Sequence, residues 1–244
     1  MLIGAYSFRP GLWPTVFTIV LLPLFLSLGF WQLERAGQKR VMHSGFIDRQ
    51  AQEALLMNEK ITPGAMDQYL WRKARANGRF DPARQILLDN QVVDGKPGYF
   101  VYTPLHLEAA DQWILVNRGW IATGPDRNRV PEIGVTGEPV SLTGVLKPEP
   151  ATGIVLREFP PEKMSEKIVR VQKLSLEELS AFLGRPLLPA VLRLDNNTEH
   201  GYLRNWTVPG SGEEKHLGYA FQWFCFAALL LILYIAVNLK KSKQ

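Results

Sequence analysis

The stretch EEKHLGYAFQWFCFAALLLILYIAVNL, Glu213 to Leu239, decides the architecture. Two acids, a lysine and His216 lead straight into a run from Leu217 to Leu239 that carries no charge. Tyr219, Phe221, Trp223 and Phe224, with Gln222 among them, already lie inside the start of that run. At ~1.5 Å per residue a helix of this length spans a hydrocarbon core of ~30 Å. A second such run, Leu12 to Leu33, stands near the other end of the chain. It is long for a signal-peptide core, and GFWQLER follows it in place of a small-x-small cleavage site, so it reads as an uncleaved anchor. Pro14 and Pro23 are tolerable there because membrane helices re-satisfy freed backbone groups.

Between the runs the composition changes. The chain has 244 residues, a net charge of +5 and 46% hydrophobic residues. Most of its charges, prolines and glycines fall in the middle. The expected organisation is a short N-terminal segment (1–11), transmembrane helix 1 (12–33), a β-rich domain (34–215), transmembrane helix 2 (216–239) and a basic tail (240–244). With two spans, both termini share a side. Lys240, Lys241 and Lys243 argue that this side is cytoplasmic, whereas Arg35, Lys39 and Arg40 after the first run argue the reverse. Charge alone leaves the orientation open.

The middle opens as a helix continuing from Leu33 towards Met57, with TPG at Thr62–Gly64 to break it. Strand-like runs follow at Trp71–Phe80, Arg84–Leu105 (two strands), Gln112–Ala122, Glu138–Leu146, Lys167–Gln172 and Ala190–Asn196. One helix interrupts them, SLEELSAFLG, with Ser175 as N-cap, Glu178 three residues on and Gly184 as terminator. The expected fold class is a membrane protein of α+β type. Two transmembrane helices flank a soluble, mainly antiparallel, barrel-like β domain with one or two helices.

Several chemistries are disfavoured. Cys225 is the single cysteine, so no intrachain disulfide and no CxxC is possible; it reads as a small buried apolar residue. The four histidines form no HxxH or HExxH, and neither GxSxG nor GK[ST] occurs. No dense basic patch suggests nucleic acid. The expectation is no enzyme and no catalytic residue. Asn117-Arg118-Gly119 reads as a turn or bulge finishing a strand, Trp120 as core, and Gly98 as a turn residue after Pro97.

His216 is the candidate ligand. On a helix it shares a face with Tyr219, Ala220 and Trp223. A neutral imidazole is the common axial ligand of haem iron, and small residues let a flat macrocycle approach. Trp31 and Arg35 reach the same membrane edge from the first helix, the cation being suited to a propionate. The same Trp, Tyr and His also serve as ordinary interface anchors, and the small residues also serve helix packing.

The layout of helix, outer domain and helix resembles the SURF1 family of cytochrome c oxidase assembly factors. The resemblance is carried by GFWQLERAGQKR and KHLGYAFQWF at the two ends, and by NGRFDPARQILLDNQVVDGKPGYFVYTPL, ILVNRGWIA, LRLDN and GYLRNW between them. It covers nearly the whole chain. It implies a multi-pass protein of an inner membrane with the central domain outside, and no Arg-rich transit segment precedes the first run, which favours a bacterial inner (plasma) membrane. It also implies a chaperone-like role in maturing the oxidase, with haem a as transient cargo at His216. The cytochrome c oxidase catalytic subunit, haem a synthase and membrane lipid are the implied partners. Three readings compete: a haem-handling chaperone, a scaffold that stabilises an oxidase intermediate without binding haem, and a membrane-anchored sensor or enzyme. The short tail after Leu239 speaks against signalling.

Overall fold

The computed structural model describes residues 2–3, 6–124, 129, 131–150 and 161–241. Its elements, in chain order, are β1 (Leu2–Ile3), β2 (Tyr6–Phe8), α1 (Leu12–Ala51), β3 (Leu55–Leu56), a 3-10 turn (Pro63–Tyr69), β4 (Lys73–Phe80) and β5 (Gln85–Val93). Then come β6 (Lys96–Leu107), β7 (Gln112–Ala122), β8 (Pro139–Lys147), β9 (Glu162–Lys163) and β10 (Ile168–Val171). The last are α2 (Leu176–Leu183), β11 (Leu187–Leu194), α3 (Glu213–Asn238) and β12 (Leu239–Lys241). They form two compact units, residues 1–46 with 207–244, and residues 47–206.

The first unit is a helix pair. Both α1 and α3 are long and apolar enough to cross a membrane, and their apolar windows are only 11% buried. A soluble core helix would be enclosed, so this exposure fits lipid as the solvent. α1 runs 40 residues, ~60 Å, twice a hydrocarbon core, and passes Leu33 without a break. It ends at Ala51, before TPG, and Pro63 instead opens the 3-10 turn, where its missing N–H costs nothing. Cys225 is exposed rather than buried, because it lies off the face that α3 turns to α1. That face carries Ala220 and Ala227, 2% and 4% exposed. β2 pairs antiparallel with β12, so both chain ends lie at one end of the helix pair and Lys240 and Lys241 form a strand. Lys243 of the basic tail lies outside the described residues.

The second unit is a β-barrel with an extension. Antiparallel pairings β4–β8, β8–β11 and β7–β6 and the parallel pairing β11–β7 make a sheet that closes on itself through β4–β6, where Arg79 faces His106 and Phe80 faces Leu105. β5, β10 and β9 prolong it beyond β6. The barrel interior takes alternate residues of each strand, including Ala74, Ala76, Leu142, Leu146, Ala190, Leu192, Ile114 and Val116, all 1% exposed or less. A five-strand barrel is narrow, which explains the small residues on β4. A second cluster outside it packs α2, through Leu176 and Leu179, on Tyr102, Leu115, Val169 and Val191.

Local sequence explains the ends of these elements. Ser175 Oγ accepts from the Glu178 N–H at 3.3 Å, and Gly184 ends α2 in the left-handed conformation. Asp94 and Gly95, both at positive φ, form the two-residue hairpin between β5 and β6. Gly98 is therefore not a turn residue. It lies inside β6, where a Cβ would meet the Trp120 ring at 2.3 Å. The NRGW segment does not finish a strand either. β7 continues to Ala122, and the register jumps from Val101↔Gly119 to Tyr102↔Asn117, so Arg118 is the bulged residue.

The barrel's outer face has a titration signature. Burial first, and the charge of Arg193 second, push the Lys147 ammonium from 10.5 down to about 7. Between those values the unfolded chain binds the proton that the folded chain has released, so this group makes stability rise with pH across that window. The burial penalty is complete below about 7. Lys147→Met is expected to stabilise the protein there by about 1 kcal/mol, after discounting for solvent screening of a half-exposed group. That advantage should shrink towards pH 10.5. Denaturant unfolding of both proteins across the window reads the difference; an advantage independent of pH contradicts the assignment.

Candidate functional site

His216 lies in the first turn of α3, whose N-cap is Gly212 at positive φ. The segment before it rests on α1: Gly210 packs so closely on Lys39 and His43 that a Cβ would come 2.5 Å from their backbone atoms. Glu213 accepts from Arg40 Nε at 2.8 Å and Nη2 at 2.5 Å, and this pairing raises the Arg40 pKa above its ordinary value. These contacts fix where α3 begins and hence where His216 sits.

The imidazole faces α1. Its Nδ1 is 2.8 Å from Gln32 Oε1. A carbonyl oxygen only accepts, so Nδ1 donates, and in the neutral ring Nε2 is the nitrogen that carries the lone pair. No partner to Nε2 is present among the described residues. A half-buried histidine with one nitrogen tied by hydrogen bond and the other left as a base is the arrangement of a metal-ligating imidazole. Among the described residues no group of three or more His, Cys, Asp or Glu side chains could hold a metal ion.

Gln32 follows from helix geometry. Phe25, Gly29, Gln32 and Ala36 recur at four- and three-residue spacing and form the face that α1 turns to α3. Phe25 stacks on Trp223, with centroids 5.8 Å apart. Phe30 meets Phe224 edge to face at 5.4 Å, and Gly29 leaves room for the Phe224 ring, which a Cβ would touch at 2.6 Å. At the other end, Thr15 and Tyr234 hydroxyls lie 3.1 Å apart, and Asn238 Oδ1 accepts from the Gly11 N–H at 2.7 Å.

The other sequence candidates fall in three places. Trp223 lies on the packing face with its ring against Phe25. Tyr219, one turn above His216, is 54% exposed. Trp31 and Arg35 adjoin Gln32 on α1: the guanidinium lies 5.7 Å over the exposed indole and donates to Gln38 Oε1 at 2.9 Å. The structure thus brings His216 to Gln32, while Trp31 and Arg35 pair with each other rather than with the histidine. Sequence reading passed over Gln32, although it stands inside the quoted GFWQLER. Its signal was a lone amide one turn beyond Gly29 on an otherwise apolar face.

Comparison with known proteins adds the lineage. The SURF1 family profile matches residues 19–228. The SURF1-like protein of Rickettsia prowazekii is 26% identical over 87% of this chain and 84% of its own length. That of Rickettsia bellii is 28% identical over 86% and 85%. The yeast (Saccharomyces cerevisiae) cytochrome oxidase assembly protein SHY1 is 24% identical over 46% of this chain and 29% of its own. With a profile match that runs from inside the first apolar helix to inside the last, this chain belongs to the SURF1 family.

Proposed function

We propose that this protein is an assembly factor for haem–copper cytochrome c oxidase that holds haem a at the edge of the helix pair and passes it to the catalytic subunit. The single observation that carries the haem part is the Nδ1 contact of His216 with Gln32, which presents Nε2 as a base. When bound, haem would supply an iron that His216 would hold through a ring nitrogen. Gln32 holds the tautomer and the ring angle. Tyr219 and Trp31, both exposed, offer apolar walls that exclude water, and Arg35 offers a cation to a propionate. A single protein ligand would suit a site that must release its cargo. The role is holding rather than bond chemistry. The relative named for cytochrome oxidase assembly supports the assembly part.

The same reading places the chain in a bacterial inner membrane, with both termini cytoplasmic and the β domain periplasmic. Its partners are the oxidase catalytic subunit, the haem a synthase that supplies the cargo, and the surrounding lipid.

The test is complementation. A host lacking this protein should lose a-type oxidase absorbance, and the wild-type gene should restore it. His216→Ala should fail to restore it. Gln32→Leu should restore it in part, because loss of such an outer partner weakens ligation by about 10-fold or more. Full restoration by His216→Ala would overturn haem holding and favour a scaffold.

A further inference from the structure

The barrel's outer face carries a pair of cations that the haem reading does not use. Val191 pairs with Lys147 and Arg193 with Val145 across β8 and β11, so the two cations sit diagonally on one face, ~7 Å apart at their origins. Lys73 on β4 lies opposite the same Val145. Lys147 Nζ stands over the Trp71 ring, 3.1 Å from its centroid, and the Arg193 guanidinium stands over Trp206 at 4.9 Å. Both indoles are fixed. Trp206 donates from Nε1 to Leu194 O at 2.8 Å and packs on Phe100. Trp71 is held at φ +70, a conformation that a bulky residue adopts only under constraint, with its N–H bonded to Leu146 O at 2.6 Å.

Neither cation is in an ion pair among the described residues. Among the same residues, Lys147 and Arg193 make no side-chain hydrogen bond, and Arg193 Nε is a buried donor without an acceptor. Asp195 acts on Arg193 only at a distance. Burial lowers the pKa of both cations, and the charge of Arg193 lowers that of Lys147 further. Two partly desolvated cations side by side are unfavourable unless something negative joins them. Aromatic faces relieve a little of that cost and still leave the hydrogen-bond donors unspent.

We propose that Lys147 and Arg193 form a phosphate-binding site on the outer face of the barrel, walled by Trp71 and Trp206. The guanidinium fork gives directed donors, the ammonium gives a compact charge, and Lys73 adds a third cation at the exposed rim. The phosphate comes either free from solution or as the headgroup of an anionic phospholipid. The site does not depend on haem binding.

The full chain in zwitterionic detergent is titrated with inorganic phosphate against chloride at constant ionic strength, with tryptophan fluorescence as readout. In a second arm the full chain in nanodiscs containing phosphatidylglycerol is compared with the same in phosphatidylcholine. A saturable response to inorganic phosphate, weakened about tenfold in Lys147→Gln and kept in Lys147→Arg, supports the site with a free ion as ligand. A response confined to phosphatidylglycerol and lost in Lys147→Gln supports it with a headgroup as ligand. Arg193→Gln should match Lys147→Gln; if it fails to fold, the lysine variants decide. No response in either arm, or the same response in wild type and Lys147→Gln, overturns the proposal.

Discussion

Arg118→Ala is expected to destabilise the β domain by about 3 kcal/mol, a large part of the ~5–15 kcal/mol that holds a domain together. The side chain is 3% exposed and yet, among the described residues, pairs with no carboxylate. Its guanidinium donates to His200 O at 2.6 Å, Gly134 O at 2.8 Å and Thr103 Oγ1 at 3.4 Å, with Phe80 and Tyr202 rings on its flanks. Burial lowers its pKa, against the pull of Tyr202. The bulge in β7 is what aims this residue at carbonyls from two loops. Truncation removes three hydrogen bonds, takes a partner from the buried Thr103 hydroxyl and opens a cavity. Thr103 also bonds Gln85, whose amide reaches Asp81 O, and Asp81 pairs with Arg185 at 3.1 Å, so the loss propagates along a polar chain. Arg118→Lys should recover only part, because an ammonium cannot serve three diverging acceptors from a fork. Urea unfolding of the full chain in detergent, followed by near-UV circular dichroism, measures both. A loss under about 1 kcal/mol would show that Arg118 is not the clamp.

Gly119→Val should cost about 3 kcal/mol or more and lower the yield of folded protein. Gly119 has φ +114, where a β-branched residue does not fit. A Cβ there would also stand 2.7 Å from Leu203 O and 2.8 Å from Arg204 Cγ. Those atoms belong to the segment that pairs with Trp120, whose N–H donates to Leu203 O at 2.8 Å. The substitution therefore strains the bulge and pushes away the strand-like segment leading out of the barrel. Gly119→Ala keeps the clash without the branch and should lie between wild type and valine. Equal unfolding curves for wild type and valine would contradict this account of the bulge.

Features that depend on neighbours in sequence were legible. Uninterrupted apolar runs announced α1 and α3, Ser175 and Gly184 announced α2, and the Gln112–Ala122 strand appears with those bounds. Features that depend on distant pairing were not. Closure of the barrel rests on Arg79–Phe80 meeting Leu105–His106, and no local pattern distinguishes a closed sheet from an open one. The bulge was foreseen at Asn117–Gly119, but its place inside β7 is set by register with β6. The end of α1 was misplaced because a helix stops where packing stops, and Ala51 carries no stop signal.

The candidate site divides the same way. His216 stood out by its own position, and Trp31, Arg35, Tyr219 and Trp223 by helical spacing from it or from the membrane edge. Gln32 lies 184 residues away in sequence and becomes meaningful only through the Gly29–Phe224 contact that sets the helix register. The same holds for Lys147 and Arg193, whose closeness is invisible until β8 and β11 are paired.

The central claim is that Nε2 of His216 ligates haem while Gln32 holds the ring. Its most direct test is the absorption spectrum of the purified full chain, produced together with the haem a biosynthetic enzymes, for wild type, Gln32→Leu and His216→Ala. The account predicts a haem a Soret band in the wild type, a weaker one in Gln32→Leu and none in His216→Ala with the fold intact. An equal band in wild type and His216→Ala would contradict it.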